Sequence, residues 1–207
     1  MWLNTYAVID FETTGLSPDH GARPTEIAVV LVSHDRIIDR YQSLMNPGVH
    51  IPYEIQAFTG ITNEMVRKAP SVREIMKQAV QFVGKHPLVA HNAAFDRKFW
   101  DAELQKINLR FDHKFACSLL LSRRLFPDAP NHKLATLVQN LHLPNTGRHH
   151  RALADAEATA HLLMRIQQEL LRRFRLSDVS HDLLLAIQCA NRSQLETCVC
   201  SHIGAKK

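Results

Sequence analysis

Two acidic residues, Asp10 and Glu12, end an apolar run near the start of this 207-residue chain. They stand two positions apart, so on a strand their side chains project from the same face. Two carboxylates placed in this way repel each other unless a cation lies between them or one of them is protonated. Hard oxygen ligands of this kind suit Mg²⁺ or Mn²⁺. The pair therefore predicts a divalent-cation site, and the alternative interpretation is a pair of surface charges at a strand end.

Two further acidic positions accompany this pair. Asp96 follows a short predicted strand, and Asp155 lies in an alanine-rich segment that also contains His150. Five residues along one helix correspond to a rotation of about 500°, which would leave His150 and Asp155 about 140° apart. His150 is therefore expected before the helix or at its cap, where a histidine with a pKa near neutrality can act as a general base. His149 is the alternative base, and the alternative for Asp96 is stabilisation of a helix N-terminus.

The elements that must position these residues follow from periodicity and from capping and turn residues. Apolar and β-branched runs predict strands at 5–11, 26–32, 36–44 and 87–91. Helical spacing predicts helices at 53–58, 72–83, 93–107, 117–126, 133–141 and 151–174. The short spacing of the first three strands favours an antiparallel meander, and the later alternation predicts an α/β domain with a mixed central sheet flanked by helices. We assign residues 1–175 to this domain and residues 176–207 to a C-terminal tail, helical in part and irregular in part.

Composition restricts the class of protein. Lysine and arginine outnumber aspartate and glutamate by 25 to 20, with a pI near 9.2, a weak indication of an anionic partner such as nucleic acid. No apolar run approaches the roughly 18 residues of a membrane span, and the N-terminus shows no secretory signal. Four cysteines in a chain of this length do not predict a disulfide framework, and Cys189, Cys198 and Cys200 have no standard zinc spacing. We therefore expect a cytoplasmic protein that does not enter a membrane.

Three segments together resemble a known family. Their sequences are Asp10-Phe-Glu-Thr-Thr-Gly15, His91-Asn-Ala-Ala-Phe-Asp96 and His150-Arg-Ala-Leu-Ala-Asp155. In order, spacing and residue types they are similar to the three exonuclease motifs of the DEDDh, or DnaQ-like, family. This family includes the epsilon proofreading subunit of DNA polymerase III, RNase T and oligoribonuclease. The residue four positions before Asp155 is Arg151 rather than tyrosine, which is typical of the histidine subclass.

The resemblance implies the RNase H-like exonuclease fold and a metal-dependent 3′→5′ exonuclease that releases nucleoside 5′-monophosphates. Two Mg²⁺ or Mn²⁺ ions would be held by Asp10, Glu12, Asp155 and, largely through water, Asp96. His150 would accept the proton of the attacking water. The resemblance further implies that the residues at the substrate nucleotide are Thr13, Thr14, Gly15, Leu16, Glu54, Phe58, Thr59, His91 and Asn92. Thr59 stands where epsilon-like members usually carry a histidine.

Substrate and partner stay open at this point. The segment Gly60-Ile-Thr62 is similar to one in epsilon-like members, which favours single-stranded or mismatched DNA 3′ ends. RNA 3′ ends or short oligoribonucleotides are the alternative substrate. A non-catalytic nucleic-acid or polymerase-binding module is a third hypothesis, and the intact set of acidic residues argues against it. A DNA polymerase subunit is a candidate partner, the sequence does not indicate an oligomeric state, and the basic segments 123–124 and 172–175 are candidate phosphate contacts.

Overall fold

The computed structural model describes residues 5–33, 35–110, 114–147 and 150–204. Over these residues the strands are β1 (Tyr6–Thr13), β2 (Pro24–Ser33), β3 (Arg36–Leu44), β4 (Leu88–Ala90) and β5 (Phe115–Cys117). The α-helices are α1 (Tyr53–Thr59), α2 (Asn63–Arg67), α3 (Val72–Val83), α4 (Ala94–Lys106), α5 (Ser118–Leu125), α6 (Leu134–Asn140), α7 (Ala152–Phe174), α8 (His181–Cys189) and α9 (Leu195–Gly204). Short 3₁₀ turns lie at Pro18–His20 and Arg192–Gln194.

The described strands form one mixed sheet in the order β3-β2-β1-β4-β5. β1 pairs antiparallel with β2, and β2 pairs antiparallel with β3. β4 pairs parallel with β1 and with β5. The predicted meander and the predicted mixed sheet are both confirmed. β2 is buried along its whole length because helices cover both faces of the sheet at its centre.

The two faces of the sheet belong to two different hydrophobic clusters. Tyr6 and Val8 of β1 pack with the apolar residues of α5, α7 and α8. Ala7 and Ile9 pack with those of α3 and α4 on the opposite face. This alternation follows from the two-residue period of a strand. Continued along β1, it places the even-numbered positions on the face that α7 covers.

Local sequence signals set several element ends. α3 begins with a capping box, in which the Ser71 hydroxyl accepts from the Glu74 amide and the Glu74 carboxylate accepts from the Ser71 amide. α1 is followed by its C-cap residue Gly60, whose φ of 75° is a left-handed conformation that glycine adopts without strain. Both ends lie where the sequence predicts them.

Elements at the edge of the sheet differ from the prediction. Cys117, predicted as the first residue of a helix, belongs instead to β5, and the helix occupies Ser118–Leu125. The outer edge of β5 is covered by the side chain of Gln188 in α8. Its Oε1 accepts from the Cys117 amide at 2.7 Å, and its Nε2 donates to the Phe115 carbonyl at 3.2 Å. The side chain of Gln188 thus takes the place of a neighbouring strand.

The segment that follows residue 175 packs onto the main core. Leu183, Leu184 and Ile187 of α8 are buried in the same cluster as Tyr6 and Val8. α9 contributes further buried residues to this cluster, although the sequence predicts no helix there. Among the described residues, no helix is long and apolar enough to cross a membrane.

Candidate active site

The three acidic segments meet at one end of the sheet. Asp10 and Glu12 lie at the end of β1 on the face that α7 covers, and Asp155 lies in the first turn of α7. Asp96 lies in the first turn of α4. A cavity of about 230 Å³ opens at this point. Its lining is Asp10, Phe11, Glu12, Thr13, Gly15, Leu16, Ile55, Phe58, Thr59, His91, Asn92, Phe95, Asp96, His150 and Asp155.

The carboxylates of Asp10, Glu12 and Asp155 are close enough to share a cation. One oxygen of each lies within 4.8 Å of the others. Asp96 is 2% exposed, and its Oδ1 accepts from the backbone amide of Phe11 at 3.2 Å. Asp96 is therefore joined to β1 between the two strand carboxylates. An all-oxygen set of this kind fits Mg²⁺ or Mn²⁺.

The electrostatics of these residues also fit a cation. Burial, together with the charges of Asp96, Asp155 and Glu12, raises the pKa of Asp10 well above its usual value. Burial and the neighbouring carboxylates raise the pKa of Glu12 to about 8. Burial raises the pKa of Asp96 to about 8. Negative charge gathered in a desolvated site disfavours ionisation, and a bound divalent cation would remove that penalty.

His150 lies before the helix, as the angular argument requires. Its backbone has φ of 63°, a left-handed conformation, and its amide donates to Asp155 Oδ2 at 2.8 Å. Its ring stacks on Phe58 with centroids 3.8 Å apart, and Phe58 is 56% exposed. The histidine therefore faces the cavity from a constrained turn. The alternative base, His149, lies outside the described residues.

His91 has a structural role within the site. Its Nε2 donates to the His132 carbonyl at 3.1 Å, so its Nδ1 accepts from the Ser118 hydroxyl at 2.9 Å in the neutral ring. Burial lowers the pKa of His91 to about 4, which keeps the ring neutral. The next residue, Asn92, has φ of 61° and turns the chain from β4 towards α4. Both residues line the cavity, and His91 holds the end of β4 against α5 and the loop before α6.

The predicted substrate residues separate into two groups. Thr13, Gly15, Leu16, Phe58 and Thr59 line the cavity with His91 and Asn92. Thr14 lies behind it in a neighbouring groove, where its hydroxyl accepts from the Arg23 amide. Glu54 is exposed on α1 and is not part of the cavity lining.

Within the first group, the side chains differ in what they present. The Thr13 hydroxyl donates to the Gly15 carbonyl, and the Thr59 hydroxyl donates to the Ile55 carbonyl. Leu16 is 83% exposed at the mouth of the cavity. The threonine hydroxyls thus donate to nearby backbone carbonyls, while Leu16 and Phe58 present apolar surface to a ligand.

Glu26 is a buried residue beside the site that the sequence did not predict as a functional residue. Glu26 of β2 is the register partner of Glu12 and forms a two-point ion pair with Arg151, the residue after His150. The signal in the sequence is a single charged residue at the start of a continuous apolar run, Glu26-Ile-Ala-Val-Val-Leu-Val32. A buried carboxylate requires a partner, and only the fold shows which residue supplies it.

The cavity continues into a larger groove of about 900 Å³. Besides Asp10, His150 and Asp155, the groove is lined by Arg123 at the end of α5 and Lys133 before α6. Both basic side chains are exposed. The groove is therefore lined by positive charge a short distance from the acidic centre.

Comparison with known proteins agrees with this geometry. A family model for RNase T, described as an exonuclease, matches residues 7–163. DNA polymerase III PolC-type of Bacillus cereus is 39% identical over 170 residues, which are 82% of this chain and 12% of that polymerase. The chain therefore spans about an eighth of the length of this curated relative.

Solved structures show the same fold. A structure of Exonuclease X in complex with 5′ overhanging duplex DNA has a TM-score of 0.68 and 27% identity, covering 88% of this chain and 99% of that one. The nuclease domain of 3′hExo, a DEDDh family member, bound to rAMP, has a TM-score of 0.69 and 22% identity, covering 82% and 92%. The RNase H-like exonuclease fold is confirmed.

The fold, its acidic centre and the matching family model define an exonuclease domain of the DnaQ-like type. This chain belongs to the RNase T exonuclease family. The resemblance to this group of exonucleases, predicted from the three segments, is thus confirmed.

Proposed function

We propose that this exonuclease removes nucleotides one at a time from the 3′ ends of single-stranded or mismatched DNA and releases nucleoside 5′-monophosphates. The observation that carries the proposal is that the acidic centre lies in an open cavity, with the exposed side chains of Leu16 and Phe58 at its mouth. An apolar side chain and an aromatic ring suit the faces of unpaired bases. A paired terminus would have to separate before its last base enters this space.

The proposed mechanism assigns a role to each acidic residue and to the histidine. Asp10, Glu12 and Asp155 would bind one divalent cation, and Asp10 and Asp96 would bind a second, Asp96 largely through water. Such a pair would supply positive charge to the attacking and leaving oxygens of an in-line displacement. His150 takes the proton from the attacking water and the new P–O bond forms, while the bond between phosphorus and the 3′ oxygen of the preceding nucleotide breaks and that oxygen takes up a proton from solvent. Phe58 holds the His150 ring in place by stacking.

The groove beyond the cavity suits the strand that leads to the terminal nucleotide. Arg123 and Lys133 stand along it, where they would contact phosphates upstream of the scissile bond. Such contacts supply affinity without sequence preference. They also offset the repulsion between the polyanionic strand and the carboxylates.

RNA 3′ ends or short oligoribonucleotides are the alternative substrate. The structural neighbours include one protein in complex with DNA and one bound to rAMP. Discrimination would depend on how the cavity meets a 2′-hydroxyl. The curated relatives are DNA polymerases, which favours DNA.

The relatives also support a polymerase context. The matched segment of the PolC-type proteins makes up 12% of their length. We therefore propose that this exonuclease acts on ends that a DNA polymerase has produced, with the polymerase as its partner. A non-catalytic binding module is the remaining hypothesis, and it predicts binding of nucleic acid without cleavage.

The test is a time course with a 5′-labelled single-stranded DNA oligonucleotide and its RNA counterpart, in Mg²⁺, Mn²⁺ or EDTA. Asp10→Asn is compared with wild type, and Asp101→Asn is the matched control, because Asp101 is an exposed acid on α4 paired with Arg97. The expected result is a ladder that shortens from the 3′ end, requires the metal, persists in the control and is lost in Asp10→Asn. The ratio of DNA to RNA rates identifies the substrate. Binding without cleavage in every metal would refute the catalytic proposal for these substrates.

A further inference from the structure

Glu26 is a buried carboxylate with four hydrogen-bond donors around it. It is 1% exposed, near the start of β2 and opposite Glu12 of β1. Its Oε2 accepts from Arg151 Nε at 3.1 Å and from the backbone amide of Ala152 at 3.0 Å. Its Oε1 accepts from Arg151 Nη2 at 2.7 Å and from Gln42 Nε2 at 2.9 Å. Burial of this charge is therefore balanced by a two-point ion pair and by two further donors.

These contacts fasten the start of α7 to the sheet. Arg151 is the N-cap residue of α7, and its side chain makes no capping hydrogen bond to the helix. The first amide of the helix, that of Ala152, has no acceptor within the helix itself. Glu26 supplies that acceptor from β2, a different part of the chain. A negative carboxylate at this end also interacts favourably with the helix dipole.

His150 is the residue directly before this attachment. Its φ of 63° is a conformation that residues other than glycine adopt only when their surroundings impose it. Two contacts hold His150. Its backbone amide donates a hydrogen bond to the Asp155 carboxylate, and its ring stacks on Phe58. On its C-terminal side, the chain is held by the Glu26–Arg151 pair. The position of the imidazole ring thus depends on a carboxylate that lines no part of the cavity.

We infer that Glu26 is a positioning residue, which places His150 at the reaction centre through Arg151 and the first amide of α7. The inference rests on the proposed function, in which His150 accepts the proton of the attacking water. A displacement of about 1 Å in such a group costs on the order of 100-fold in rate. Loss of Glu26 should lower kcat, while KM changes little because substrate binding depends on other residues.

The test compares Glu26→Gln with a matched buried glutamate. Glu103 is 2% exposed and forms an equivalent two-point pair with Arg23, at 2.8 and 3.0 Å, on the opposite side of the sheet. Glu103→Gln therefore removes the same kind of interaction away from His150. At saturating Mg²⁺, Glu26→Gln should lower kcat on the order of 100-fold, whereas Glu103→Gln should leave kcat unchanged. Thermal unfolding of both variants measures how much stability each loses when its buried ion pair is removed.

A double-mutant cycle distinguishes an effect of Glu26 on the position of His150 from a general destabilisation of the fold. If Glu26 acts through His150, adding Glu26→Gln to His150→Gln should cause no further loss of kcat. Arg151→Lys should retain more activity than Arg151→Gln, since lysine keeps the charge and loses only the forked geometry. Equal losses of kcat in Glu26→Gln and Glu103→Gln, or independent losses in the double variant, would overturn the inference. Absence of cleavage by wild type would instead refute the proposed function.

Discussion

Replacement of Glu12 by glutamine should stabilise the metal-free protein at alkaline pH. The folded protein raises the pKa of Glu12 from 4.5 to about 8. Because the folded pKa lies above the unfolded one, the folded state binds more protons between these values, and the free energy of unfolding falls as pH rises. Each pH unit of difference corresponds to about 1.4 kcal/mol. Ionisation of this one carboxyl therefore costs the folded state on the order of 5 kcal/mol by the upper end of the window.

The assay is urea denaturation followed by circular dichroism in EDTA, at about pH 5 and about pH 9. At the lower pH the carboxyl is protonated in the folded state, so Glu12→Gln and wild type should have similar stability. At the higher pH the variant should be more stable by about 2 to 5 kcal/mol. Mg²⁺ should reduce this difference, because at about 100 times its Kd a ligand that binds the wild-type folded state stabilises it by roughly 2.7 kcal/mol.

Glu103 provides the control for this prediction. It is also buried, but Arg23 and Lys106 both contact its carboxylate. Glu103→Gln should therefore lower stability at about pH 9, by roughly 1 to 3 kcal/mol. A Glu12→Gln variant less stable than wild type at alkaline pH in EDTA, or a stability difference that does not change with pH, would contradict this prediction.

Four further predictions follow from single contacts. His150→Gln should lower kcat by about 10²- to 10⁴-fold with little change in KM, as expected for a general base, in single-turnover assays. Phe58→Ala should lower kcat by roughly twofold to tenfold, since an aromatic pair contributes about 0.5–1.5 kcal/mol to holding the imidazole ring. Gln188→Ala should lower the free energy of unfolding by about 1–3 kcal/mol in urea denaturation, because the Cys117 amide loses its acceptor. Arg123→Gln should reduce by about one the slope of log affinity against log salt for single-stranded DNA, measured by anisotropy.

Each of these has an outcome that contradicts it. An unchanged kcat in His150→Gln would show that another group is the general base. A change confined to KM in Phe58→Ala would show that the Phe58 ring contacts the substrate and does not position His150. Wild-type stability in Gln188→Ala would show that the edge of β5 needs no side-chain partner. An unchanged salt slope in Arg123→Gln would place the strand outside the groove.

The residues of the acidic centre could be found from the sequence because the relevant patterns are local. The two-residue period of a strand places Asp10 and Glu12 on one face, and the structure has them there. The helical angle between His150 and Asp155 excludes a shared helix face, and α7 begins at Ala152. Such rules depend only on the geometry of a few consecutive residues. The capping box at the start of α3 is predictable for the same reason.

Other features depend on contacts between segments that are far apart in the sequence. β5 is three residues long, and its strand conformation depends on pairing with β4 and on Gln188, 71 residues from Cys117 in sequence. Glu26 looks like an isolated charge in a buried strand until the fold brings Arg151 to it, 125 residues away. Residue types and short spacings in the sequence were enough to predict which groups would carry out the proposed chemistry. The distant residues that hold those groups in place are set by packing between segments, which cannot be predicted from a local sequence pattern.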